Sequence, residues 1–114
     1  MKSISLTNYI IHIGQNAQEN WKLLDESNAN DMFFHLSSFP SCYVMLQYNQ
    51  SLDTDHVYDP DTIQICAKLC KEHTKYKLMN NIKVSYCKVS NLDKGEVTGE
   101  VYYKSNRKVK HILV

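Results

Sequence analysis

The spacing of apolar positions changes period several times along the chain, and the changes divide it into short strands around two helices. Lys2 to Leu6 and Tyr9 to Ile13 read as two strands of a hairpin joined at Thr7-Asn8. From about Ala17 to Ser27 the spacing is helical, with Ala17, Trp21 and Leu24 as the expected buried stripe. That stripe makes Trp21 a core residue rather than a platform for a stacked base. Asn28-Ala29-Asn30 ends the helix, and Asp31 to Leu36 is a short apolar strand. Tyr43 to Gln47 is a further strand after the loop Ser37-Ser38-Phe39-Pro40. Asp59-Pro60 starts a second helix, with Asp as cap and Pro at the first position. It runs to about Lys75 and presents Ile63, Cys66, Ala67 and Cys70 on one face.

Three more strands follow, Ile82 to Val89, Val97 to Lys104 and Lys108 to Leu113, the last two forming a hairpin turned at Ser105-Asn106. Ile82, Val84 and Tyr86 alternate with Lys83, Ser85 and Cys87, which predicts one buried side and one wet side. The expected fold is α/β in the α+β sense: a single domain over residues 1–114, with a mixed, mostly antiparallel sheet and two main helices.

The junction at Gly14-Gln15-Asn16 is the most informative local feature. Gly14 permits backbone angles closed to other residues, Asn16 can cap the helix, and Glu19 stands where a capping box needs it. A helix entered this way presents free N–H groups, so Gly14, Gln15 and Asn16 form a candidate anion or phosphate turn. The plainer alternative is a well-capped helix without a ligand.

Composition narrows the class. At 114 residues the chain can bury a core, and 43% hydrophobic residues exclude wholesale disorder. No apolar run approaches the roughly 20 residues of a membrane span, and Met1-Lys2-Ser3-Ile4 does not begin a signal peptide. Cys42, Cys66, Cys70 and Cys87 lack the spacing of a disulfide framework, so reduced thiols are expected. The expected location is the cytoplasm, with the nucleus as second candidate, and not the secreted space. Abundant Asn, Lys, Ile and Tyr beside a single Arg suggest an AT-rich genome, so the scarcity of arginine carries little weight.

The net charge of +1 conceals a division. Residues 1–67 carry two lysines against eight acids, net −6, whereas residues 68–114 carry ten lysines and one arginine against four acids, net +7. This points to a basic surface in the C-terminal half, or else to a merely solvated lysine-rich face. Lys75, Lys77, Lys83, Lys88, Lys104, Arg107, Lys108 and Lys110 are the candidate nucleic-acid ligands, with Tyr76, Tyr86, Tyr102 and Tyr103 among them. Lysines neutralise phosphates whatever the sequence, and tyrosines offer faces to unpaired bases. Strand alternation sends Tyr102 and Tyr103 to opposite faces, so one of them, with Tyr86, is expected in the core.

Other chemistry is thinly supported. Cys66, Cys70 and His73 fall at i, i+4 and i+7, and Cys42 or His35 could complete a zinc site. Small residues on that face are equally what packing on a sheet requires, so no metal and no cofactor is implied. Asp53-Thr54-Asp55 begins like a calcium loop, but the glycine and closing glutamate are missing. His35 could approach Cys42 across a loop. No phosphate-binding loop, dinucleotide fingerprint or serine elbow is present.

The order of motifs resembles the NFACT-R domain, the RNA-binding module of the NFACT ribosome quality-control proteins. Gly14 and Asn16 match its Gly-Arg-Asn turn and Asn20 the Asn a few residues later, and Asp31, Phe34 and His35 match its Asp-x-Trp-Phe-His strand. Pro40 and Val44 remain of Pro-Gly-Ser-His-Val, and Cys66-Ala67 lies in the helix of small residues. Asn81, Val84 and Tyr86 match the Asn-x-x-Val-x-Tyr strand, and Gly99 and Val101 the Gly-x-Val strand. Asn80-Asn81 and Ser90-Asn91-Leu92 look closest to the stand-alone eukaryotic branch, here without its coiled-coil tail. Two departures stand out: the turn arginine is Gln15, and the Gly-Ser-His is Ser41-Cys42-Tyr43. Any activity resting on that arginine or histidine is expected to be lost.

The resemblance and the +7 half together imply a non-enzymatic RNA-binding module, ribosome- or tRNA-associated, that uses a basic C-terminal face without base-specific readout. Its partners would be tRNA or rRNA, with DNA and ribosome-associated proteins as further candidates, and no membrane. One alternative is an RNA-modifying enzyme, or its degenerate descendant, with its site around Asn16, Asn20, His35 and Tyr43; of the family-motif polar residues Asn20, Asp31, His35 and Tyr43, Asp31 is expected instead to fix a loop or pair with the turn. Another is a protein-interaction adaptor.

Overall fold

Alternation along the second strand sets the layout. The structure, a computed structural model, describes residues 1–49 and 56–114. The Asp53-Thr54-Asp55 segment considered for calcium lies outside the described residues. β1 (Lys2–Ser5) and β2 (Tyr9–Gly14) form the expected hairpin, followed by α1 (Ala17–Glu26), β3 (Met32–Leu36) and β4 (Tyr43–Tyr48). α2 (Pro60–Glu72) leads to β5 (Lys83–Lys88), β6 (Leu92–Lys94), β7 (Val101–Tyr103) and β8 (Lys110–Leu113). Six strands pair antiparallel in the order β1-β2-β4-β3-β5-β8, and β6 with β7 makes a separate ribbon. The α+β class expected from the sequence is the one observed.

Cross-strand partners share a face, so the register defines two cores. Ile11 stands opposite Leu46, Phe34 opposite both Val44 and Tyr86, and Val84 opposite Ile112. This face buries Ile11, Ile13, Phe34, Leu36, Val44 and Val84 against Cys66, Ala67 and Cys70 of α2. The other face buries Phe33, Tyr43, Met45 and Cys87 against Leu23 of α1 and Leu92 of β6.

The second core explains where the pattern misled. Ser85 and Cys87, expected on a wet face, are buried because α1 and the β6–β7 ribbon cover it. The expected terminal hairpin does not form. β7 pairs with β6 and β8 with β5, while a 3-10 turn at Asn106–Lys108 carries the chain between them. In α1 the buried positions are Asn20 and Leu23. Trp21 and Leu24 are half-buried and Ala17 is exposed, so the stripe is shifted from the expected one. Trp21 sits at the rim, where its indole N–H donates to the Glu100 carbonyl at 3.1 Å and Lys94 lies 4.9 Å from the ring centroid.

Candidate nucleic-acid interface

The start of α1 is built by its own side chains. Gly14 has ordinary extended backbone, so the freedom expected of it is not used. It provides room: a Cβ there would lie 2.4 Å from Asn20 Oδ1. Asn16 Oδ1 accepts the Glu19 N–H at 2.9 Å, and Glu19 Oε1 accepts the Gln15 N–H at 3.0 Å. The same Glu19 oxygen pairs with the Met1 amine at 3.0 Å. The Gln15 N–H, followed by that amine, holds the Glu19 carboxyl below its ordinary pKa. The proposed anion turn thus already carries a carboxylate, and Gln15 and Asn16 form one rim of a larger cleft.

That cleft, of 1060 Å³, opens where β3 ends, β4 and β5 begin and α2 finishes. It gathers Asn16, Asn20, His35 and Tyr43 from the motif residues, together with Lys75, Tyr76 and Tyr103. Asn20 Oδ1 accepts the Tyr43 N–H at 3.4 Å, and the Tyr43 hydroxyl donates to the Gly99 carbonyl. Gly99 has φ +91, and its α-carbon packs against Ala17, which a side chain would prevent. His35 lies flat against Phe33 and edge-on to Tyr43, with centroids 6.2 and 5.3 Å away. Burial pushes its imidazole below the ordinary pKa, so it is neutral at physiological pH. Asp31 is not in this cleft. It is buried at the far end of β3, where its Oδ2 accepts the Asn28 N–H at 2.8 Å and burial raises its carboxyl pKa.

The basic residues divide between the two ends of the sheet. Lys88, Lys108 and Lys110 surround a groove of 510 Å³, with Tyr86, Ser90 and Asn91 in its wall. Lys110 is the cross-strand partner of Tyr86, whose ring stacks on Phe34 at 5.3 Å. Arg107 follows in the same 3-10 turn as Lys108. Lys75 lines the other cleft, and Lys83 starts β5 at that same end. Lys77 is exposed in the connection from α2 to β5. Lys104 lies 3.7 Å from Asp93.

Two features had no signal in the sequence. Asn91 is buried and grips Ser105 twice, donating from Nδ2 to its carbonyl and accepting its N–H at Oδ1, both at 2.9 Å. It thereby fixes the turn that carries Arg107 and Lys108. Ser37 and Ser85, distant in sequence, meet at the cleft with hydroxyl oxygens 2.5 Å apart.

Cys42, Cys66, Cys70 and Cys87 are all free and buried. The thiol of Cys42 beside it, and then burial, keep Cys70 protonated. Burial pushes Cys66 up to about 12. His73 Nδ1 lies 2.9 Å from the Leu69 carbonyl rather than near the two thiols in a cluster. Among the described residues no three His, Cys, Asp or Glu side chains are grouped to hold a metal ion. Nor is any helix among them long and apolar enough to cross a membrane.

The family model for the NFACT protein RNA binding domain matches residues 2–105. The chain belongs to this family. Its coarse function follows: it is an RNA-binding module of the NFACT type, as the order of motifs implied. Coiled-coil domain-containing protein 25 of Mus musculus and that of Bos taurus are similar to it, each 26% identical over 115 residues. The alignments cover 98% of this chain and 55% of each relative, so the chain spans about half their length. The fold is shared with the C-terminal part of the fibronectin/fibrinogen-binding protein from Streptococcus suis. That match has a TM-score of 0.77 at 23% identity and covers 93% of this chain and 40% of the other.

Proposed function

We propose that this NFACT-R domain binds structured RNA, tRNA or rRNA at the ribosome, in the cytoplasm. It does so mainly by phosphate contacts from the groove of Lys88, Lys108 and Lys110. The observation that carries this reading is the convergence of those three lysines with Tyr86 around one groove. Among the described residues none of the three forms an ion pair, whereas Lys94 is held by Asp25 at 2.5 Å and Lys104 by Asp93. Phosphate contacts carry no sequence information, so recognition through this groove would be tolerant of sequence and steep in salt.

The test is RNA binding by fluorescence anisotropy over a salt series, comparing the parent with Lys88→Glu/Lys108→Glu/Lys110→Glu. Three lost contacts should lower the slope of log affinity against log salt by about 2 to 3. An unchanged slope in a folded triple variant would remove the groove from the interface.

A further inference from the structure

The cleft at the other end of the sheet has a different chemistry from the groove. Its lining carries one lysine, Lys75, and one carboxylate, Glu100, and most of its other polar side chains are amides and hydroxyls. Two walls are aromatic: Tyr76, whose ring centroid is 4.3 Å from Phe39, and the His35–Tyr43 pair. At the floor, the Ser37 and Ser85 hydroxyls share one hydrogen bond and Ser85 also bonds the Tyr103 hydroxyl, which leaves hydroxyl lone pairs for a ligand's donors. A phosphate would meet a single lysine here. A flat, uncharged ring with donors and acceptors on its edge would meet both the aromatic walls and the neutral polar floor. The volume lies just above the range of about 300–1,000 Å³ typical of small-ligand sites, ample for one base.

We propose that this cleft takes an unpaired nucleobase of the bound RNA, held against its aromatic walls and met at its edge by His35, Ser37 and Ser85. The inference rests on the RNA-binding reading and adds to it a preference for RNA with a single-stranded end or an extruded base. One ring nitrogen of the neutral His35 is engaged with the Leu36 backbone, which leaves the other to meet the base edge.

The experiment compares a blunt RNA duplex with the same duplex carrying a single-stranded overhang, measured by anisotropy at one salt concentration. The parent should bind the overhang form about fivefold or more tightly, the lower end of what stacking one base contributes. His35→Ala should erase that ratio and leave blunt-duplex affinity unchanged. His35 packs on Phe33, so Ser85→Ala serves as the milder variant, and it should at least halve the ratio. The Lys88/Lys108/Lys110→Glu variant should weaken both RNAs and keep the ratio. Equal affinity of the parent for both RNAs overturns the base site while the RNA reading stands. So does a ratio that survives in both cleft variants. Failure of the parent to bind either RNA overturns the RNA reading and the base site with it.

Discussion

The two ends of the sheet place similar raw material in opposite settings. At the groove end, Lys88, Lys108 and Lys110 line one shared groove. At the cleft end, a single lysine and a single carboxylate, Lys75 and Glu100, stand in a lining made mostly of amides, hydroxyls and aromatic rings. β5 connects the two, running from Lys83 at one end to Lys88 at the other, about 17 Å for six residues. The difference separates two contributions to binding. Clustered exposed lysines give a long-range attraction that salt screens. Neutral hydrogen-bonding groups beside rings give short-range selectivity that salt barely alters.

The largest expected effect comes from reversing charge at each end in turn. Lys88/Lys108/Lys110→Glu and Lys75/Lys77/Lys83→Glu change the net charge equally, so the protein's overall field is matched. The first should weaken RNA binding by about 100-fold or more at low salt, since hydrogen bonds to charged groups contribute about 1.5–3 kcal/mol each. The second should cost less than about tenfold. Equal losses would mean that total charge, not the groove, drives binding.

Next in size is the packing that holds the cleft rim. Gly14→Ala places a Cβ against Asn20 Oδ1 and should cost about 1–3 kcal/mol in chemical denaturation. Asn20→Ala in the same chain should recover part of that loss, because the two changes share one contact. If the double variant is simply the sum of the singles, the close approach is not what makes Gly14 necessary. At the groove end, Asn91→Ala removes both bonds to Ser105 and should cost a similar amount. It should also weaken RNA binding, whereas Gly14→Ala should leave blunt-duplex affinity alone.

Local signals made much of this fold legible. Thr7-Asn8 turned the first hairpin, Asn16 and Asp59 capped the helices, and Pro60 opened the second as expected. What failed was non-local. Nothing near Val101–Tyr103 or Lys110–Leu113 reveals that the former pairs with Leu92–Lys94 and the latter with Lys83–Lys88. The hidden second cover over Ser85 and Cys87 follows from that pairing. Of the motif residues, Asn16, Asn20, His35 and Tyr43 meet because β2, β3 and β4 all have the relevant terminus at one end. Asp31 and His35 lie close in sequence, yet the length of β3 puts them at opposite ends. The same geometry separates Lys83 from Lys88, which a count of lysines along the chain treats as neighbours.

A smaller, pH-dependent effect contrasts Asp31 with His35. Burial raises the Asp31 pKa in the folded state, so its contribution is present below the ordinary carboxylate pKa and is lost as pH rises through the folded value. Burial lowers the His35 pKa, so its contribution is present above the ordinary histidine pKa and is lost as pH falls through the folded value. Asp31→Asn should therefore raise the melting temperature at neutral pH relative to the parent, and the gain should vanish in acid. His35→Gln should remove the part of the acid destabilisation that begins just below the histidine range. A melting profile in which either substitution leaves the pH dependence untouched would show that burial does not control that group.

The smallest effect tests whether the helix start at the cleft rim faces RNA. Asn16→Ala should cost about 1 kcal/mol of stability through the lost cap, with no change in RNA affinity. Gln15→Arg introduces a cation at the rim, but Glu19 is four residues away on the helix and already bonds the Gln15 N–H. The new guanidinium would pair with that exposed carboxylate, and RNA affinity should change by less than about threefold. Replacing Glu19 with Gln in the same chain keeps an acceptor for the Gln15 N–H and removes the competing charge. In that double variant the arginine is free to meet a phosphate, and affinity at low salt should rise by about 1–2 kcal/mol. Glu19→Gln alone should give a smaller rise, since it only removes a negative charge from the rim. If the double variant binds RNA no more tightly than Glu19→Gln alone, a phosphate does not pass this rim, and the cleft receives its base from the side of Tyr76.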